Sequence, residues 1–158
     1  IRSRENVGSI FRTADAVGVS KIYLCGITPT PLSFRSLVEG GYLYDPKISK
    51  TALGAEKWVP WEYHRQTLKC LPEIENQNLK IKIIALEQTP KSINILNFKI
   101  PKNYSIVLVV GNEVKGLSPK ILKYCDNIVS IPMVGKKESL NVAVAFGIAV
   151  YAITHKNS

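Results

Sequence analysis

The sequence predicts an α/β fold, a mainly parallel sheet flanked by helices. Residues 105–110, Ser-Ile-Val-Leu-Val-Val, are apolar on both alternating faces and form the clearest buried strand in the chain, as expected within a parallel sheet. Residues 80–86 and 127–132 are two more short apolar runs bounded by turn residues. Between the strands lie segments with helical apolar spacing, and that alternation is the pattern of an α/β domain.

The 158 residues suit one domain spanning 1–158, long enough to bury a core. At 46% hydrophobic and 21% charged, the composition excludes a disordered tail or a fibre. The net charge of +9 fits a polyanionic partner such as nucleic acid, and equally a merely soluble basic surface. Cys25, Cys70 and Cys125 show no metal-like spacing, and their odd number argues against a disulfide framework, so a reducing, cytoplasmic setting is expected. The longest apolar stretch, 142–153, is too short to cross a bilayer, so no membrane is expected. The chain opens on Ile1-Arg2-Ser3 without an initiator methionine, which suggests a missing first strand upstream.

Taken in order, Val7, Ile10, Phe11, Ala14 and Val17 have helical spacing over 6–17, with Asn6 as the candidate N-cap and Gly18 as the stop. Gly8 leaves room for a close approach, and Arg12 lies one turn on, so Asn6, Gly8 and Arg12 are expected to cluster. A strand over 21–27 is broken by Thr28-Pro29-Thr30-Pro31. Phe34, Arg35, Gly40, Gly41, Tyr42 and Tyr44 then make a segment that could stack on RNA or simply pack as a surface loop. A helical turn is expected over 50–55 and a strand over 58–63, where Pro60 marks an edge or a start. Residues 66–75 read as a helix despite Pro72, followed by the 80–86 strand and the loop Glu87-Gln88-Thr89-Pro90. After 105–110, Ser118-Pro119 caps a helix running to about Cys125. The last strand leads to a helix over 142–153 that is apolar around its circumference, and it needs burial on both sides, by its own sheet and by either a partner chain or the rest of the monomer.

Ligands of such sheets lie beyond the carboxyl ends of the strands. Three ends matter here: Leu86-Glu87, Val110-Gly111 and Ile131-Pro132. Glycines in Gly111-Asn112-Glu113-Val114-Lys115-Gly116-Leu117 would let backbone amides reach a ligand, although a plain turn explains them too. The spacing is not that of a Walker loop, and no Gly-x-Gly-x-x-Gly occurs. In Ile131-Pro132-Met133-Val134-Gly135-Lys136-Lys137-Glu138-Ser139-Leu140-Asn141, Asn141 can cap the last helix. Ser139 lacks a nucleophile elbow, and His64 and His155 show no partner pattern, so a serine hydrolase is disfavoured. From spacing alone, Arg12 suits a phosphate or an oxyanion, but a solvated surface arginine is the commoner case.

Three segments, Asn-x-Gly-x-x-x-Arg-Thr-Ala from Asn6, Gly-Asn-Glu-x-x-Gly-Leu from Gly111 and Ile-Pro-Met-x-Gly-x-x-x-Ser-Leu-Asn-Val-Ala from Ile131, together resemble the three motifs of the SpoU family. These are ribose 2′-O-methyltransferases of the SPOUT superfamily, and the segments stand here in the family's order. The resemblance implies a C-terminal trefoil knot, an exception to the rule that chains do not knot. It implies S-adenosylmethionine as cofactor, held by Leu86, Gly111, Ile131, Met133 and Leu140. It also implies a homodimer in which Arg12 of one subunit reaches the other's site, with Asn6, Glu113, Ser139 and Asn141 completing the catalytic set. The substrate implied is RNA, transfer RNA ahead of ribosomal RNA. A noncatalytic RNA-binding module on the same fold, and a small-molecule α/β enzyme, are the competing classes.

Overall fold

The computed structural model describes residues 1–32, 43–77 and 80–155. Phe34, Arg35, Gly40, Gly41 and Tyr42 of the expected RNA-gripping segment lie outside them. The chain divides into two units, Ile1–Cys70 and Leu71–Ser158.

The first unit opens with α1 (Arg4–Ala16). Ser3, not Asn6, is its N-cap: it has extended backbone, and its Oγ accepts from Asn6 N at 3.1 Å. The helix therefore starts earlier than its apolar spacing indicates, because the cap is polar and leaves no periodic signal. Strand β1 (Ile22–Cys25) runs parallel to β2 (Trp61–His64), from Ile22 opposite Trp61 to Cys25 opposite His64. Pro60 stands just before β2, and its carbonyl accepts from Ile22 N at 2.9 Å, so the proline marks a start as expected.

The crossover between these strands holds two short helices, where the sequence showed one turn. Asp45 caps α2 (Pro46–Ala52), accepting from Lys47 N and Ile48 N, and Leu53 in the left-handed region ends it. Then follows α3 (Ala55–Trp58). Val7, Phe11, Leu24, Ile48, Ala52, Ala55 and Val59 form the core of this unit.

In the second unit a four-stranded sheet has the order β4-β6-β3-β5, with every ladder parallel. The strands are β3 (Ile81–Leu86), the short β4 (Ile93–Asn94), β5 (Ser105–Val110) and β6 (Asn127–Ser130). Strand β5 begins and ends where the sequence puts it, but it is an edge strand, and of its residues only Val109 is buried. The doubly buried strand is β3, whose Ile83, Ile84 and Ala85 are fully enclosed. Apolar composition marks both strands alike; only the pairing order decides which has neighbours on both sides.

Ile84 faces a core with Val129, Phe98, Ala149 and Ile153, so α6 (Val142–His155) covers that side. Ile83 faces Leu71 and Val109 on the other side, backed by Ile121 and Tyr124 of α5 (Pro119–Tyr124). Leu71 belongs to α4 (Thr67–Glu75), which forms with Pro72 inside it. Ser118 caps α5 through its Oγ, as its sequence indicates.

Asp126 locks the entry to β6 onto β3. Its carboxylate accepts from Ile83 N and from Lys82 Nζ, both at 2.8 Å, while its own N–H donates to Ile83 O at 2.9 Å. Burial pushes this carboxyl up, but the hydrogen bonds from Lys82 and Ile83 N–H outweigh it and hold the group below its ordinary value. A depressed folded value means stability that is present above the ordinary carboxylate range and is lost as pH falls through the folded value. Asp126→Ala is expected to cost about 1 kcal/mol at neutral pH, mainly by stripping the Ile83 N–H of its acceptor. In urea titrations its gap from wild type should narrow on acidification through the carboxylate range.

Candidate active site

The register of the second sheet brings three strand ends to one edge. Leu86 pairs with Val110 on one side and with Val129 on the other, so Gly111 and Ile131 follow Leu86 off the same edge. The chain enters β5 on one side of β3 and β6 on the other, which makes this edge a topological switch point. Leu86, Gly111, Ile131 and Met133 are half-buried, and Leu140 is exposed.

The loop leaving β5 is a tight structure of its own. Asn112 Oδ1 accepts from Val114 N at 2.9 Å and from Lys115 N at 3.1 Å, and the main chains of Asn112 and Gly116 pair antiparallel. Gly111 is held to glycine by packing, since a Cβ there would lie 2.7 Å from Gly116 C and 2.8 Å from Leu117 N. Glu113 is exposed on this loop.

Residues 134–141 carry no regular structure, and all are exposed. Asn141 does cap α6: its Oδ1 accepts from Ala143 N at 2.9 Å and from Val144 N at 3.4 Å. Ser139 sits two residues ahead of that cap and faces solvent. On α6, Phe146, Ala149, Val150 and Ile153 are buried, whereas Val144, Ile148 and Tyr151 form an exposed apolar stripe. Among the described residues this side of the helix is therefore uncovered.

Arg12 and Asn6 belong to the first unit. Arg12 is exposed on α1, and among the described residues its guanidinium has no hydrogen bond or ion pair. Gly8 is buried against α2, where a Cβ would lie 2.3 Å from Ile48 O. With α1 starting at Arg4, Asn6 is inside the helix and stands about 120° round it from Arg12. Gly8 and Arg12 share a side of the helix; Asn6 does not join them.

Sequence reasoning missed Glu87, Thr89 and Asn112. Glu87 accepts from Leu117 N at 2.7 Å, and Thr89 Oγ1 is buried with no partner among the described residues. An acid immediately after a buried strand, and an asparagine opening a glycine-bounded turn, were the available signals. Among the described residues no cluster of His, Cys, Asp or Glu could hold a metal ion, and no helix is long and apolar enough to cross a membrane.

A parallel sheet with a switch point at its strand ends is an architecture that commonly takes nucleotide-type ligands at that edge. Comparison with known proteins narrows this class. The profile of the SpoU rRNA Methylase family matches residues 1–151, and the chain belongs to that family. It is 33% identical over 157 residues to the tRNA (guanosine(18)-2′-O)-methyltransferase of Aquifex aeolicus, covering 96% of this chain and 64% of the relative. It is 29% identical to the 23S rRNA (guanosine-2′-O-)-methyltransferase RlmB of Ralstonia nicotianae, over 97% of this chain and 55% of that protein. The chain thus spans less than two thirds of the length of these relatives. Among solved structures, the SpoU methyltransferase AviRb of Streptomyces viridochromogenes, in complex with AdoMet, superimposes with a TM-score of 0.80 at 26% identity, covering 99% of this chain and 54% of AviRb. The A. aeolicus TrmH/SpoU tRNA modifying enzyme gives 0.75 at 30%, over 99% and 71%.

Proposed function

We propose that this chain is the catalytic domain of a cytoplasmic RNA ribose 2′-O-methyltransferase that uses S-adenosylmethionine, with transfer RNA ahead of ribosomal RNA as substrate. The observation that carries this reading is the shared edge of Leu86, Gly111 and Ile131 in a chain of the SpoU family. The tRNA preference is supported by the similarity to the A. aeolicus tRNA methyltransferase. The trefoil knot belongs to the same proposal, supported by membership of the SpoU family.

The residues present fit the cofactor. Half-buried Leu86, Ile131 and Met133 offer apolar contact, Gly111 offers main chain, and Thr89 Oγ1 is a buried polar atom with no partner among the described residues. Leu140, 39% exposed in the single chain, would close over them. When bound, S-adenosylmethionine supplies an electrophilic methyl on a sulfonium.

The protein's part is to hold the ribose and manage a proton. A ribose hydroxyl attacks only as its proton leaves, and a guanidinium cannot take that proton because it stays charged. Arg12 of a second copy of the chain therefore stabilises the developing alkoxide and grips an RNA phosphate, whose oxygen is an acceptor for the proton. Ser139 and the Asn141 amide N–H group orient the hydroxyl; the Asn141 carbonyl oxygen is already committed to the α6 cap. Glu113 fixes the β5 loop side of the site, and Asn6, on another side of α1 from Arg12, orients the ribose rather than the arginine.

The homodimer is supported by the Val144, Ile148 and Tyr151 stripe, which a second copy would cover. Calorimetry with S-adenosylmethionine, followed by methyl transfer to unmodified tRNA, tests the whole reading. Saturable heat and 2′-O-methylated product are expected. Absence of cofactor heat alongside RNA binding would instead mark a noncatalytic RNA-binding module.

A further inference from the structure

Glu87 joins all three segments of the strand-end edge. It follows β3 directly, and its N–H donates to Val129 O of β6 at 3.0 Å. Its carboxylate reaches into the loop that follows β5: Oε2 accepts from Leu117 N at 2.7 Å, and Oε1 accepts from Gln88 N at 3.1 Å. The fit is close on the loop side. Gly116 has φ +61°, and a Cβ on it would lie 2.3 Å from Glu87 Oε2. Gly111 in turn rests on Gly116 and Leu117, so the place of that peptide sets the place of the Gly111 main chain.

We propose that Glu87 is a positioning residue of the cofactor site, its carboxylate setting the Gly111–Leu117 loop, and through it the Gly111 main chain, for S-adenosylmethionine. This rests on the cofactor reading given above. A carboxylate is suited to the task because a charge-assisted hydrogen bond to a half-buried N–H is stronger than a neutral one. The two glycines are its counterparts: Gly116 leaves space for the carboxylate, and Gly111 leaves space for the peptide that the carboxylate holds.

The test compares wild type, Glu87→Ala, Glu87→Gln, Gly116→Ala and the double variant Glu87→Ala/Gly116→Ala. Calorimetry with S-adenosylmethionine, well below each melting point, gives Kd. Exchange of the Leu117 amide in the ligand-free chain reports the loop itself. Glu87→Ala should weaken cofactor binding about tenfold and speed Leu117 exchange by a similar factor, from loss of one hydrogen bond to a charged acceptor. Glu87→Gln keeps an oxygen for Leu117 N–H and should recover most of both. The double variant should bind no more weakly than Gly116→Ala alone, because both changes break one contact.

A lowered melting point in Glu87→Ala with an unchanged Kd would reduce Glu87 to a stabilising residue and overturn the proposal. Additive losses in the double variant would do the same. No heat with wild type would overturn the cofactor reading and this role together, whereas heat with wild type and equal heat with Glu87→Ala would overturn the role of Glu87 only.

Discussion

Gly8→Ala should destabilise the first unit by about 3 kcal/mol, lowering its melting temperature by about 12–24 °C. The added Cβ would meet Thr51 Oγ1 at 2.1 Å, Ile48 O at 2.3 Å and Ala52 N at 3.0 Å. The threonine could rotate away only by giving up its hydrogen bond to Glu5 O at 2.9 Å. Ile48 O is main chain inside α2 and has no such freedom. The whole of α2 must then move off α1, loosening the contacts among Val7, Phe11, Ile48 and Ala52. Overpacking of this kind costs more than a cavity of the same volume because no single side chain can absorb it. Trp58 and Trp61, the two tryptophans of the chain, both lie in the first unit, so fluorescence during thermal melting reports that unit directly. A variant melting within about 2 °C of wild type would show that α2 yields freely, contrary to close packing.

The same glycine shows how far the sequence could be read. Its smallness beside Arg12 was legible as a close approach, but what approaches is α2, a helix that the sequence suggested only as a turn. Elements with strong local signals were placed well: β5 to the residue, α5 by its Ser118-Pro119 cap, α4 in spite of Pro72. The two-residue β4 was invisible, because so short a strand exists only through its pairing with Val129 and Ser130. Burial order is hidden in the sequence for a related reason. Apolar content told nothing of whether β3 or β5 stands in the middle of the sheet.

The three strand ends are legible in the sequence pattern, and the sheet register brings them to one edge. The side chains that shape the loops were not foreseen. Glu87 and Asn112 act by hydrogen bonds to main-chain N–H groups, and such contacts depend on loop geometry that no periodicity encodes. The apolar spacing points to Asn6 as the cap because Ser3 precedes the apolar pattern by several positions; with Ser3 as the cap, Asn6 lies inside the helix, away from Arg12.

Arg12→Ala should lower the turnover of methyl transfer about a thousandfold while leaving the Kd for S-adenosylmethionine within about twofold. The argument is one of charge. Alkoxide character develops only in the transition state, so a cation that meets it there affects kcat and not cofactor affinity. Arg12 is exposed on α1 and, among the described residues, has no acidic partner to neutralise it, so its charge is available to substrate. Removing it leaves the fold untouched, because the buried side of α1 is carried by Val7, Ile10, Phe11 and Ala14. Arg12→Lys keeps the charge but loses the planar fork and should recover only part of the rate. Mixing decides whether the arginine serves its own subunit or the partner. Asn141→Asp keeps the α6 cap and removes the amide donors, so it should disable the site in its own chain. If Arg12 acts across a dimer, equal amounts of Arg12→Ala and Asn141→Asp chains, once exchanged, should regain about a quarter of wild-type activity, since half the dimers then hold one intact site. If it acts within its own chain, every mixed site lacks one group and the mixture stays inactive. Turnover by Arg12→Ala within about threefold of wild type would remove the arginine from the chemistry altogether.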